Sequence, residues 1–218
     1  LKALSVYIGR PELFEEFKSR LGLKWGSRNS VMTVRSLLSE GIDREGLIEW
    51  AEDVRRLGWK YYFLVALTFL TGLRAGEVFT VLKVVREHGL QGYYNPETGA
   101  LEHFRFPEFL RGTKNAYISF VSERLLEELE RFREPMTYAA LKSKLVKNGI
   151  KLRLQEVRRM FATTLREAGI TSELVDLLQG RLPISVFVQY YYRPDMAKAR
   201  QRVLETLRPL ESRLLKSL

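Results

Sequence analysis

Residues 155 to 192 read QEVRRMFATTLREAGITSELVDLLQGRLPISVFVQYYY. From 154 to 168 the apolar positions Leu154, Val157, Phe161 and Leu165 recur at three- and four-residue spacing, which predicts a helix with Arg158 at the edge of its buried stripe. Gly169 closes that helix, Ser172 can cap a second one, and Gly180 ends it, so Arg181 follows a helix terminus. Three consecutive tyrosines, Tyr190, Tyr191 and Tyr192, come next. Two arginines ahead of a tyrosine cluster suit the holding of a phosphate beside a phenolic nucleophile.

A matching arginine lies far upstream in TGLRAGE, residues 71 to 77. Lys60 to Thr71 is apolar nearly all round and predicts a buried helix ended by Gly72, with the next helix running from about Ala75 to Val85. Arg74 therefore sits at the junction of two helices, where it can reach into a cleft from a rigid base or simply pair with Glu77. Ahead of this, Asp43 can cap a helix with Glu45 in its first turn and Leu47, Ile48, Ala51 and Val54 on one face. Residues 1–40 predict two short helices: one from PELFEEFKSRLG, one from the pattern Val31, Val34, Leu37, separated by a turn at WGSRNS.

The helical period disappears between Gln91 and Val121. GYYNPETGALEHFRF places the turn residues Asn95, Pro96 and Gly99 between two strand-like stretches, and NAYISFV alternates Ala116, Ile118 and Phe120 against Tyr117, Ser119 and Val121. A small three-stranded antiparallel sheet is expected. Lys114, in RGTKN, lies at the turn into the last strand, at the tip of a hairpin. Helices at 122–132 and 137–148 follow, broken at Pro135. Residues 193–218 form an amphipathic basic tail, with Met196, Val203, Leu207, Leu210 and Leu214 as apolar contacts and an interruption at Pro209; it folds back on its own domain or docks on a neighbour. The fold class is thus α+β and mainly helical.

The chain has 218 residues, 45% of them hydrophobic, and a formal charge of +10. That is enough apolar content for one large domain with an appendage. The positive charge suits a nucleic-acid partner, because each neutralised phosphate releases counterions. With no cysteine and only His88 and His103, disulfides, thiolate metal sites and a usual zinc site are excluded, and no metal or other cofactor is expected. The longest apolar run, Tyr61 to Leu70, is about half of the roughly 20 residues that span a bilayer, and no signal peptide is evident. A cytoplasmic, DNA-associated protein without a membrane partner is expected. The initial Leu1, where a methionine would stand, suggests that the sequence is part of a longer protein.

These residues resemble the tyrosine recombinase, or phage integrase, family. TGLRAGEVFTVLK looks like its first arginine box, VRRMFATTLREAG like its second, and LLQGRLPISVFVQYY like its closing segment up to the tyrosine. The order and spacing agree over roughly residues 42 to 200. The resemblance implies the recombinase catalytic-domain fold over 41–218, with a tail from about 193, and the end of a core-binding domain or a linker over 1–40. It implies a site-specific recombinase acting on a double-stranded DNA attachment site as a tetramer, through a 3′-phosphotyrosyl link and without metal.

Carried over by position, the resemblance assigns the phosphate clamp to Arg74 and Arg158, the general acid to Lys114 and the nucleophile to a tyrosine after Arg181; the archaeal viral pattern, ending in Q-x-Y, selects Tyr191, and Arg181 would itself stabilise the phosphate. Tyr190 is the alternative that bacterial spacing selects, and Tyr192 the least favoured. Arg111, Arg159 and Arg193 join Lys114 as DNA contacts. Two histidines usual in the family are here Gln155, which can orient a phosphate oxygen but move no proton, and Arg181, which stays charged. Both changes resemble the integrases of archaeal viruses and plasmids, which often carry the attachment site within their own gene. Two other readings remain: a type IB topoisomerase, which relaxes supercoils by the same attack, and a non-catalytic DNA-binding protein.

Overall fold

The computed structural model describes residues 2–22, 31, 34, 35, 38, 41–112, 114–182 and 190–216. The chain separates into two compact units, Leu1–Gly41 and Ile42–Leu218. In the first, α1 (Lys2–Tyr7), which the sequence pattern did not indicate, precedes α2 (Pro11–Arg20). Proline starts α2, where its missing N–H costs nothing, and Lys18 and Arg20 close it against the negative end of the helix dipole. Residues 31, 34, 35 and 38 are helical, whereas the expected turn at WGSRNS and Leu37 lie outside the described residues.

The second unit is built on α4 (Trp59–Thr71), against which α3 (Arg44–Arg55), α8 (Leu154–Glu167) and α10 (Met196–Leu215) pack. Every residue of α4 from Tyr62 to Thr71 is buried. Each large side chain so removed from water stabilises the fold by roughly 1.5–3 kcal/mol. Asp43 caps α3 by accepting from Gly46 N at 2.9 Å, as expected. Gly72 ends α4 with φ +65°, and a Cβ there would lie 2.2 Å from the Phe161 ring. The end of α4 can therefore press on α8 only because this residue is glycine. That contact brings the start of α5 (Ala75–His88) beside the middle of α8.

The sheet is present with the expected order but shrunken strands: β1 (Tyr94–Asn95), β2 (Ala100–Leu101) and β3 (Ser119–Phe120), all antiparallel. Asn95 pairs with Ala100, and Ala100 in turn with Phe120. After Leu101 the expected strand gives way to two 3-10 turns, His103–Arg105 and Pro107–Phe109. His103 is drawn inward there, bonding Tyr93 Oη at 2.7 Å and Ser119 Oγ at 2.8 Å. Nor does the third stretch alternate, since Ile118 to Val121 are all buried. Lys114 consequently stands at the apex of a long β2–β3 connection, closed at its neck by Ala116 N donating to Phe109 O at 3.1 Å.

Helices α6 (Glu123–Arg131), α7 (Tyr138–Lys147) and α9 (Ser172–Leu178) complete the unit. Thr171, one residue before the expected Ser172, caps α9 by accepting from Leu174 N. The tail also departs from expectation, because α10 runs unbroken through Pro209 for 20 residues. Pro209 faces solvent, and burial of Leu207, Leu214 and Leu215 holds both halves of the helix in place. Tyr62 Oη donates to Leu214 O at 2.7 Å, and Arg213 pairs with Glu45. The tail thus folds back as part of the core. Among the described residues no single helix is long and apolar enough to cross a membrane; α4 and α5 pass that test only as a pair bent by 109°.

Candidate active site

The site begins at the first turn of α5. Arg74 is its N-cap residue, and Glu77, three residues on, turns back to accept from Arg74 N at 2.7 Å. The same carboxylate, only 1% exposed, accepts from Arg74 Nη1 at 2.5 Å. Two further guanidiniums approach it: Arg111 Nη2 at 3.6 Å and Arg158 Nη1 at 3.7 Å. Three arginines from three separate segments therefore converge on one buried anion. A buried carboxylate is tolerated only with such partners, and a group of guanidiniums only with such an anion.

Arg158 is the most enclosed of the three, at 11% exposed. Its Nη1 donates to Gly72 O at 2.6 Å and its Nη2 to Gln179 O at 2.5 Å, so the side chain bridges the end of α4 and the end of α9. Burial is the main cause that pulls its pKa down to about 10; Arg74 and Arg181 add to this and Glu77 opposes it. The guanidinium remains protonated at neutral pH.

The stretch Gln179, Gly180, Arg181 acts as a connector. Gln179 is buried and returns the bond it receives, its Nε2 donating to Arg158 O at 3.0 Å. Gly180 has φ +69°, and a Cβ on it would fall 1.8 Å from the Asn115 carbonyl oxygen. That carbonyl also accepts from Arg74 Nη1 at 3.1 Å. The loop bearing Lys114 is thereby fastened to both the arginine cluster and the turn that carries Arg181. Arg181 itself is 57% exposed, with its backbone N–H on Asp176 O at 2.8 Å and its Nη1 on Asp176 Oδ1 at 3.1 Å.

Arg74, Arg111, Arg158 and Arg181 are thus brought together, with Lys114 exposed on the adjoining loop. Gln155 is exposed one turn before Arg158 on α8, and Arg159 is exposed beside it. The tyrosines are not drawn into the cluster. Tyr190 and Tyr191 are 69% and 73% exposed, and no hydrogen bond joins either to these arginines among the described residues. Tyr192 Oη bonds Thr171 Oγ1 at 2.8 Å, at the opposite end of α9 from Arg181, and exposed Arg193 donates to Tyr192 O. Residues 183–189 of the closing motif lie outside the described residues.

Sequence reading missed Glu77 as the shared anion, Gln179 as the brace of Arg158, and Asn115 as the link between loop and clamp. The only advance signals were an acid three residues after Arg74 and the unusual QGR wording. Neither histidine belongs to the site: His103 is buried, held neutral with a pKa pushed down to about 3 by that burial. Among the described residues no group of three or more His, Asp or Glu could hold a metal ion.

The family model for archaeal phage integrase matches residues 41–202, a span that contains every residue of the site. Comparison with the curated proteins and with the solved structures finds no match.

Proposed function

Given that this chain belongs to the archaeal phage integrase family, and is thus a site-specific integrase acting on DNA, we propose that it works by tyrosine recombinase chemistry. Arg74, Arg158 and Arg181 hold the two non-bridging oxygens of the scissile phosphate. Tyr191 Oη attacks phosphorus, its proton leaving to water, while the bond from phosphorus to O5′ breaks and Lys114 gives O5′ a proton. The products are a 3′-phosphotyrosyl link and a free 5′-hydroxyl. Attack by a partner strand's 5′-hydroxyl returns that proton to Lys114 and breaks the bond from phosphorus to Tyr191 Oη, which takes its proton back from water. Gln155 orients a phosphate oxygen, and Arg111, Arg159 and Arg193 contact neighbouring phosphates.

What carries this reading is the convergence of Arg74, Arg111 and Arg158 on the single Glu77 carboxylate. A purely structural cluster needs charge balance, whereas three cations against one anion leave positive charge for a ligand. Preorganised donors of this kind stabilise developing phosphate charge without reorganising during the reaction. In this reading residues 41–218 are the catalytic domain, residues 1–40 are the end of a core-binding domain or a linker, and four subunits assemble on DNA.

Covalent trapping tests it. Nicked duplex from the integrase's own gene is incubated with the wild-type chain and with Tyr190→Phe, Tyr191→Phe and Tyr192→Phe, and protein-linked DNA is sought on a denaturing gel. An adduct lost only in Tyr191→Phe is expected; loss only in Tyr190→Phe moves the nucleophile by one residue. Salt-sensitive binding with no adduct from any form favours a binding module. Relaxation of supercoiled plasmid without strand exchange favours the topoisomerase reading.

A further inference from the structure

We propose that Asn115 is a positioning residue that fixes where the Lys114 ammonium meets the leaving oxygen. The inference rests on the reading of Lys114 as proton donor. Lys114 is exposed, and its side chain makes no hydrogen bond or ion pair among the described residues. Only the loop backbone can therefore set the reach of its ammonium group. A flexible lysine on an untethered loop would sample many positions, and a donor misplaced by about 1 Å can cost about a hundredfold in rate.

Asn115 supplies the tether at three points. Its Nδ2 donates to Gly112 O at 3.0 Å, closing the loop apex on itself. The same nitrogen donates to Tyr117 Oη at 3.0 Å, tying the apex to the chain entering β3. Its backbone carbonyl receives Arg74 Nη1 and lies where any side chain on Gly180 would have to be. One residue thus joins the loop to itself, to the first clamp arginine and to the turn carrying Arg181.

The amide orientation follows from chemistry, because the Gly112 carbonyl can only accept and so requires the NH2 group on its side. Asn115 Oδ1 is then left buried with no partner. A buried acceptor without a partner is costly, so this side chain holds its place through what Nδ2 ties together. An aspartate there would set an anionic oxygen against the Gly112 carbonyl and lose the tether.

The test uses single-turnover cleavage of two substrates that differ only at the bridging 5′ position, oxygen or sulfur. A thiolate leaves without a proton, so sulfur removes the need for Lys114 and for whatever positions it. Asn115→Ala should cleave the oxygen substrate about ten- to a hundredfold more slowly than wild type. On the sulfur substrate its rate should return to within about threefold of wild type, as should that of Lys114→Ala, and the double variant should add no further loss. Tyr117→Phe, which removes only one hydroxyl, should show a smaller defect with the same rescue. Arg158→Ala should not be rescued.

Rescue of Lys114→Ala but not of Asn115→Ala would overturn the positioning role and leave Asn115 a structural residue. Failure to rescue Lys114→Ala would remove the premise, and the inference with it. A second measurement needs no DNA: trypsin should cut after Lys114 several-fold faster in Asn115→Ala than in wild type. Equal cutting rates would show that the Asn115 amide does not hold the loop, whatever Lys114 does.

Discussion

Replacing Glu77 by Gln is the sharpest perturbation of the arginine cluster, since it keeps the shape and removes only the charge. The carboxylate lies 2.5 Å from Arg74, 3.6 Å from Arg111 and 3.7 Å from Arg158. Removing one partner of a buried ion pair typically costs about 3–5 kcal/mol, because the other charge is left uncompensated. Arg74 and Arg111 retain water, at 28% and 47% exposed, so the lower end, about 3 kcal/mol, applies. For a chain of this size 1 kcal/mol moves the unfolding midpoint by about 2–4 °C, giving a fall of about 6–12 °C. Circular dichroism melts with and without sulfate measure it. The variant should also gain more from sulfate than wild type does, because three guanidiniums then lack their anion. A midpoint within about 2 °C of wild type, with no added response to sulfate, would refute the assignment of Glu77 as the shared counter-ion.

Arg158→Ala should slow cleavage by about a hundred- to a thousandfold while leaving most DNA binding intact, as gel shift and single-turnover rates will report; equal loss of both would remove it from the clamp. Gly180→Ala meets both a positive φ, costing about 1–2 kcal/mol, and the Asn115 carbonyl, so denaturant melts should show at least that loss and cleavage should fall with it. His103 has its pKa pushed down to about 3 by burial, so the unfolded chain binds a proton that the folded one refuses. Its contribution is complete above the unfolded value of about 6.5 and is lost as pH falls towards 3, at up to about 1.4 kcal/mol per pH unit. Urea melts from pH 7 to pH 4 should be flatter for His103→Gln, and an unchanged slope would refute the buried neutral histidine.

The helices were legible because their apolar periods are long and their ends are marked. Asp43, Gly72 and Gly169 stand where the chain turns, and the buried faces of α3 and α8 match the spacing of Leu47, Ile48, Ala51 and Val54, and of Leu154, Val157, Phe161 and Leu165. The sheet was legible only in outline. Strands of two residues carry no usable alternation, and Ser119 is buried because His103 reaches across to bond it, which no local pattern records. Pro209 misled for the opposite reason: tertiary burial of Leu207, Leu214 and Leu215 outweighs one missing backbone bond. The arginines stood out as motifs, whereas Glu77 looked like an ordinary first-turn acid. Its importance arises from Arg111 and Arg158, which lie 34 and 81 residues away in sequence.

The charge count at Glu77 gives a reason for this arrangement under the recombinase reading. Three guanidiniums against one carboxylate leave two positive charges. A phosphodiester brings one negative charge to the site, but a second develops on its non-bridging oxygens as the phenolate attacks. The bound substrate cancels only part of the positive charge, so attraction remains for the charge that develops in the transition state, where it lowers the barrier. Without Glu77 the three cations would repel one another and would not be held in place ahead of the substrate. A second acid in the same place would cancel one more charge and weaken the attraction for the developing negative charge. The acid at the first turn of α5 is thus more than a helix cap: it holds the arginines together and leaves them two charges short of neutral.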